Sequence, residues 1–427
     1  MARAPLGAEH AGSPTQWLLS TPRATLVARG GDRLSAPIGP GQFAALAGAA
    51  ESALRAGPAG AVVVGAIPFD ETTTRAHLLL TRVERRAHQP GRRPHAVAMA
   101  LQEADRPPWP PAATAGPPLP RVEDPPPAAY LSAVRDALAE IRGGTVTKVV
   151  LARTLHVSLP EGRSYRELAS ALVSSLARRE PTAHLFSVTV SRPHPDAAGA
   201  VLVGATPETL LRRSGDLLTV TPLAGSIARD PDPAVDRARA TSLLRSAKDR
   251  DEHRHVVDAL QRLLAPLCRT LDIPAAPRLH ATSRLWHLST PIRARLRRPA
   301  PSSLALACVL HPTPAVCGTP TRRAAALVRA VEPVPRRYFS GLVGWMDQSG
   351  DGHWVIALRC GEADPRGLRL YAGAGIVRGS LPDAELAETG TKLATMLGAL
   401  DDAHGAAPAP PSPADPLPAT SPTGAPR

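Results

Sequence analysis

The stretch Thr145–Leu155, TVTKVVLARTL, sets a lysine inside a run of valine and leucine. In an extended chain alternate side chains face opposite ways. Val146, Lys148 and Val150 therefore share one face, with Val149 and Leu151 on the other. Both faces are apolar, which reads as a strand covered on both sides. Lys148 then has no surface to lie on, and burial of a lone lysine is costly and favours its neutral form. The chain holds three lysines in all, Lys148, Lys248 and Lys392, while the remaining 47 of its 50 Lys and Arg are arginine. Guanidinium stays charged and forked, whereas an ammonium is compact and can lose its proton. Two readings stand at this level: chance survival during compositional drift toward arginine, or retention where arginine cannot do the job.

Outward from this strand, Leu131, Val134, Leu138 and Ile141 recur at helical spacing from Ala129, and Gly143-Gly144 stop that helix. Downstream, HLFSVTV, AVLVGAT and LLTVTPLAG read as strands, followed by one long helix from about Asp236 to Leu267. Further strands follow at SGLVGWMD, HWVIALRCG and LRLYAGAGIV, then a last helix from about Asp383 to Leu400. Upstream, residues 1–104 hold the short β-like runs ATLVARG, AVVVGAIPFD and AHLLLTRVE. Residues 105–128 are too rich in proline for helix or central strand and read as a stiff surface connection. Residues 129–402 form the main body, and 403–427 a low-complexity, disordered tail.

A net charge of +13 first suggests nucleic acid, but the arginines are scattered and aromatics make up only 3% of residues. That argues against base stacking, so no nucleic-acid partner is expected. Cys268, Cys308, Cys317 and Cys360 show no metal-ligand spacing and sit among apolar neighbours, as core thiols in a reducing compartment would. No apolar run reaches the ~20 residues of a membrane span, and the N-terminus lacks a signal-peptide core. The expectation is a cytoplasmic, monomeric protein with no membrane contact.

Several carboxylates could carry chemistry. Glu385 and Glu388 are three apart in the last helix and share a face that Lys392 extends by a turn. Facing carboxylates suit a hard cation such as Mg²⁺, and a solvated helix face is the plainer alternative. Glu252 lies in the long helix, in KDRDEHRHVV; His253 and His255 are two apart, point different ways and exclude a zinc pair. Glu208 follows a strand and a proline in VLVGATPETLL. It is either a solvated loop residue or a buried acid with a raised pKa. Arg359, in VIALRCG, is a second charge within an apolar strand, suited to gripping a carboxylate. The run GAGIVRG departs from the dinucleotide fingerprint, and its small residues would let an anionic ligand approach the backbone.

Taken in order, GAIPFD (65–70), TKVVLAR (147–153), LVGATPETLLRR (202–213), TPLAGSIAR (221–229) and AKDRDEHRHVV (247–257) resemble the chorismate-utilising enzymes. The likeness continues through WHLST (286–290), LHPTPAVCGTP (310–320), SGLVGWMDQSGDGHWVIALRC (340–360) and YAGAGIVRGSLPDAELAETGTKL (371–393). It is strong over about residues 140–400, weaker over the first hundred, and points most closely to isochorismate synthases. It implies one large α/β (α+β) domain of two stacked, mainly antiparallel sheets flanked by helices, with 1–104 part of that same domain. It also implies chorismate as substrate and Mg²⁺ as cofactor.

Residue by residue, the resemblance makes Lys148 the general base on a water attacking ring C2 and Glu208 the acid that protonates the leaving C4 hydroxyl. Glu252 and Glu388 match metal ligands, with Glu385 close by. Gly225, Ser226, Ala315, Arg359, Gly373 and Lys392 match substrate contacts. Lys248, one turn before Glu252, has no site role beyond pairing with it. Set against relatives that use ammonia or a lysine nucleophile, the resemblance with lysine at 148 and alanine at 224 implies water as nucleophile. That leaves isochorismate synthase, with salicylate synthase as the alternative.

Overall fold

The computed structural model describes residues 16–88, 92–101, 119–159, 164–190 and 199–404. The tail expected from 403 lies outside these residues beyond His404, as do 105–118 of the proline-rich connection. Within them, the strand read from TVTKVVLARTL is Lys148–Val157. It pairs antiparallel with Gly367–Ile376 over nine residues, Val150 opposite Gly375 and Ala152 opposite Gly373. These two strands sit toward one side of a ten-stranded sheet that continues through Cys360–Asp364, Ala200–Thr206 and His184–Val190 to Trp17–Ser20 and Ala24–Ala28.

A second sheet of nine strands runs from Cys268–Asp272 through Thr209–Ser214, Gly352–Ile356, Leu342–Asp347 and Val62–Ile67 to Asp32–Leu34. N-terminal strands pair directly with late ones, Trp17–Ser20 with His184–Val190 and Val62–Ile67 with Leu342–Asp347. The first hundred residues are thus woven into one domain with the rest.

The layers follow from the burial pattern. Trp17, Val64, Phe186, Val188, Leu202, Val343 and Val355 pack between the two sheets. The outer face of the first sheet is covered by helices Tyr165–Arg179 and Pro382–His404, through Leu172, Leu176, Leu393 and Met396. Helices Gln42–Ala56, Ser303–Leu310 and Ala247–Leu264 cover the second sheet through Leu46, Leu304 and Leu260. A sheet held between another sheet and a helical layer needs apolar residues on both faces, which is why the lysine strand carries no polar alternation. Among the described residues, no helix is long and apolar enough to cross a membrane. Cys268, Cys317 and Cys360 are buried and Cys308 half-buried, all four as free thiols.

Several expectations change. A third, three-stranded sheet joins Leu223–Ala228, Leu285–Ser289 and Arg278–Ala281. The single strand read from LLTVTPLAG is split: Leu217–Thr221 belongs to the second sheet and Leu223–Ala228 to the third. Pro222 sits at the switch, where a residue without an N–H cannot continue the ladder. The long helix from Asp236 is two helices, Pro233–Arg245 and Ala247–Leu264. Ser246 breaks them, with an extended backbone and a side chain that accepts from Asp249 N to cap the second helix. The proline-rich connection does not run unstructured to 128. Arg121–Glu123 pairs with the far end of the lysine strand, and Pro127, tolerated in a first helical turn, opens the helix Pro127–Arg142.

Candidate active site

The C-terminal part of the Gly367–Ile376 strand, the start of the lysine strand, the third sheet and the helix Pro382–His404 enclose a cleft of about 690 Å³, its mouth included. Glu208, Glu252, Glu388, Arg359 and Lys392 all line it. Gly225, Ser226, Ala315 and Gly373 complete its wall among the residues singled out from sequence. Lys148 and Glu385 lie just behind, each bonded to a charged partner.

All three lysines of the chain meet carboxylates here. Lys148 is fully buried, with Nζ 3.0 Å from Glu252 Oε1. This corrects the picture of a lone buried lysine, since the helix Ala247–Leu264 brings it a counter-charge. The angular geometry falls short of a formed hydrogen bond, leaving Nζ without a directed acceptor. Lys392 Nζ lies 2.6 Å from Glu388 Oε1 and donates to Gly373 O at 2.8 Å. Lys248 does not pair with Glu252 as expected; it donates to Glu385 Oε1 at 2.8 Å. Its side chain reaches across to the last helix, a contact that spacing within one helix cannot reveal.

The carboxylates are tuned differently. Burial pushes the Glu208 carboxyl up to about 7, against the opposing pull of Leu223 N–H, Lys148 and Arg359. The buried-acid reading of Glu208 therefore holds over the solvated-loop reading. Burial also raises Glu385, helped by the charge of Glu388 and opposed by Lys248. At Glu388, burial works upward but is outweighed by Lys392, Ser226 and Lys248, which hold it below the usual carboxylate range. Ser226 Oγ donates to Glu388 Oε1 at 2.9 Å and so ties the third sheet to the carboxylate helix.

Arg359 is placed differently from its expected strand position. It lies between the strands Gly352–Ile356 and Cys360–Asp364 with φ 47°, a left-handed turn that aims it into the cleft. Its Nη2 is 3.3 Å from His287 Nε2. Burial and the charges of Arg359 and Lys392 hold His287 well below its ordinary value. A neutral His287 can then accept from the guanidinium and bond the Gly225 backbone through its other nitrogen. Gly225 has φ 76°, and a Cβ there would meet Asp249 Cβ at 3.0 Å, so glycine is required at this turn.

Comparison with known proteins bears on this constellation. The sequence signature described as "Chorismate binding enzyme" matches residues 41–401. The chain belongs to the chorismate-binding enzyme family. It is 40% identical over 405 residues to isochorismate synthase DhbC of Bacillus subtilis, covering 92% of this chain and 96% of that protein. The crystal structure of DhbC from Bacillus anthracis superposes with TM-score 0.78 at 34% identity, over 92% of this chain and 97% of that one. MenF, the menaquinone-specific isochorismate synthase of Escherichia coli, shares the fold at TM-score 0.71 and 23% identity, over 91% of this chain and 89% of that one.

In this chorismate-binding enzyme, Glu252, Glu385 and Glu388 are the residues that could hold a cation. Among the described residues no three metal-ligating side chains converge as a ready-made cage. A hard cation such as Mg²⁺ does not require one, since it commonly takes one or two carboxylates with water and substrate oxygens. Glu385 Oε2 is buried without a well-formed hydrogen bond, although Lys248 and the Ser380 hydroxyl pull on the carboxyl, and so keeps acceptor capacity. The donor set is all oxygen and fits such an ion.

Three features of the site escaped the sequence. Gly375 packs so tightly that a Cβ would sit 2.3 Å from Glu252 Oε1 and 3.2 Å from Lys148 Cε. Its period-two spacing from Gly373 was the available signal. His287 stands in the alternating strand Leu285–Ser289, and Lys248 in the Glu252 helix, but neither carries a local mark of its partner.

Proposed function

We propose that the protein is a Mg²⁺-dependent isochorismate synthase, converting chorismate to isochorismate by addition of water at C2 and loss of the C4 hydroxyl. The observation that carries this reading is a fully buried lysine just behind the cleft together with a buried carboxyl, pushed up to about 7, that lines it. The 40% identity to DhbC over nearly the whole of both chains supports it.

Lys148 serves as the general base, taking a proton from the water as its oxygen bonds to C2. Both conjugated ring double bonds shift toward C4, and the C4–O bond breaks as Glu208 gives its proton, so that water rather than hydroxide departs. Atoms balance as an isomerisation, and the two residues exchange a proton to reset. A carboxyl near 7 is protonated in a useful fraction at neutral pH, where an ordinary glutamate would not be. Arg359, oriented by His287, and Lys392 offer positive charge to the two substrate carboxylates. Mg²⁺ held by Glu252 and Glu388, with Glu385 close by, would supply further positive charge to the ring carboxylate.

The test is product identification after incubating the purified protein with chorismate, with and without Mg²⁺. Isochorismate formed only with the metal is the expected result. Salicylate with pyruvate would move the protein to the salicylate synthases, and no turnover would overturn the reading.

A further inference from the structure

The lysine strand has an interrupted edge. On the side away from Gly367–Ile376, Gly318–Thr319 pairs with it at Lys148 and Val149. The strand Arg121–Glu123 pairs only from Leu155 onward. Between them Val150 N reaches Cys317 O at 2.8 Å, but among the described residues no strand covers the Val150 carbonyl or the Ala152 amide, which must still be satisfied. Two side chains do so. Arg336 Nη2 donates to Val150 O at 2.6 Å, and Ala152 N donates to Glu332 Oε1 at 2.7 Å.

Arg336 and Glu332 are themselves locked together, Arg336 Nε donating to Glu332 Oε2 at 2.8 Å, with both side chains buried. The guanidinium also lies 4.3 Å over the Phe69 ring. Its remaining donor, Nη1, reaches Val316 O at 2.6 Å. Val150 and Val316 both line the cleft, Val150 two residues from Lys148 and Val316 next to Ala315. Alongside the Val150–Cys317 backbone bond, one planar, forked cation therefore ties Val150 of the lysine strand to the neighbouring Ala315–Val316 wall, a geometry lysine cannot reproduce.

We propose that Arg336, oriented by Glu332, is a positioning residue for catalysis: the ion pair stands in for a missing strand and sets Lys148 against the Ala315–Val316 wall. The proposal rests on the isochorismate synthase reading for its kinetic arm. Its structural arm is independent of that reading.

The test uses the full chain, wild type beside Glu332→Leu/Arg336→Met and Arg336→Lys. The double variant removes both charges at once, so no lone buried charge remains to unfold the protein. It should keep a cooperative thermal transition while kcat with chorismate falls on the order of 10²-fold, because small misplacements of reacting groups cost that much. KM should change far less, and Arg336→Lys should recover part of the loss. A folded double variant with wild-type kcat and KM would overturn the proposal. Should the double variant not fold, Arg336→Lys decides: reduced kcat supports positioning and unchanged kcat overturns it. Hydrogen exchange at the Ala152 amide should accelerate in the variants, and unchanged exchange would sink the clamp even if wild type proved inactive on chorismate. Inactive wild type with accelerated exchange would instead fault the functional reading alone.

Discussion

Lys148 Nζ and Glu252 Oε1 stand 3.0 Å apart at the base of the cleft, one from a sheet strand and the other from the helix Ala247–Leu264. Lysine–carboxylate pairs recur within the last helix, at Lys392 with Glu388, and between two helices, at Lys248 with Glu385. Every lysine in the chain thus balances a carboxylate of the candidate site. At fully buried Lys148 a compact ammonium fits where a forked guanidinium would need more room, which gives a physical reason for that exception to arginine's use elsewhere.

Replacing Lys148 by alanine should lower kcat by about 10²–10⁴-fold, the usual contribution of a positioned acid or base. It also strips Glu252 of its counter-charge, so Lys148→Ala/Glu252→Gln should melt higher than Lys148→Ala while remaining inactive. Steady-state turnover of chorismate and a thermal melt check both, and near-wild-type kcat in Lys148→Ala would remove it from the mechanism.

Glu208 carries a pH signature in stability. Its folded carboxyl stands near 7 against an ordinary value of 4.5, so the folded state binds the extra proton between those values. Stability from this group is full below about 4.5 and is lost as pH rises through about 7. The loss is on the order of 3 kcal/mol. Glu208→Gln should therefore gain stability over wild type at pH 8 and little at pH 4.5, measured by urea unfolding at both. Equal differences at the two pH values would contradict a buried, raised Glu208.

The same residue governs rate. The activity of wild type should decline as pH rises through about 7, where Glu208 gives up its proton. Glu208→Gln cannot donate, so kcat should drop about 10²–10⁴-fold. A pH–rate profile of wild type that stays flat from 6 to 8.5 would argue against Glu208 as the acid.

Chelation should abolish turnover and added Mg²⁺ should restore it. Glu388→Gln removes one charge from the ligand set and should raise the Mg²⁺ concentration for half-maximal activity tenfold or more, about 1.4 kcal/mol. Calorimetric Mg²⁺ titration of both proteins provides a readout apart from activity, and identical isotherms would discredit the assignment.

Gly375→Ala tests the crowding at the lysine–glutamate pair. The new methyl would lie 2.3 Å from Glu252 Oε1, so the carboxylate must move. The expected outcome is a folded protein with severely reduced kcat and weakened Mg²⁺ binding. Wild-type behaviour would show that the Glu252 position is not critical.

Much of this protein is readable from residue order. Apolar residues on both faces of Thr145–Leu155 require a covered strand, because a buried extended segment has no other place for two apolar faces. Leu131 to Ile141 require an amphipathic helix, and the Glu385–Glu388–Lys392 spacing puts charges on one helical face. These are periodic signals, set by local backbone geometry and therefore carried by short stretches of sequence.

Contacts across the fold are another matter. Nothing near Lys248 points to Glu385, 137 residues away, and nothing near Val150 points to Arg336, 186 residues away. The break at Ser246, the turn at Arg359 and the switch of sheets at Pro222 likewise depend on what packs alongside. Local order specified which segments were strands and helices and which residues were chemically able; the folded chain settled which charges meet. The reason is that an ion pair or a filled sheet edge is a relation between segments, and its energy exists only once packing has brought them together.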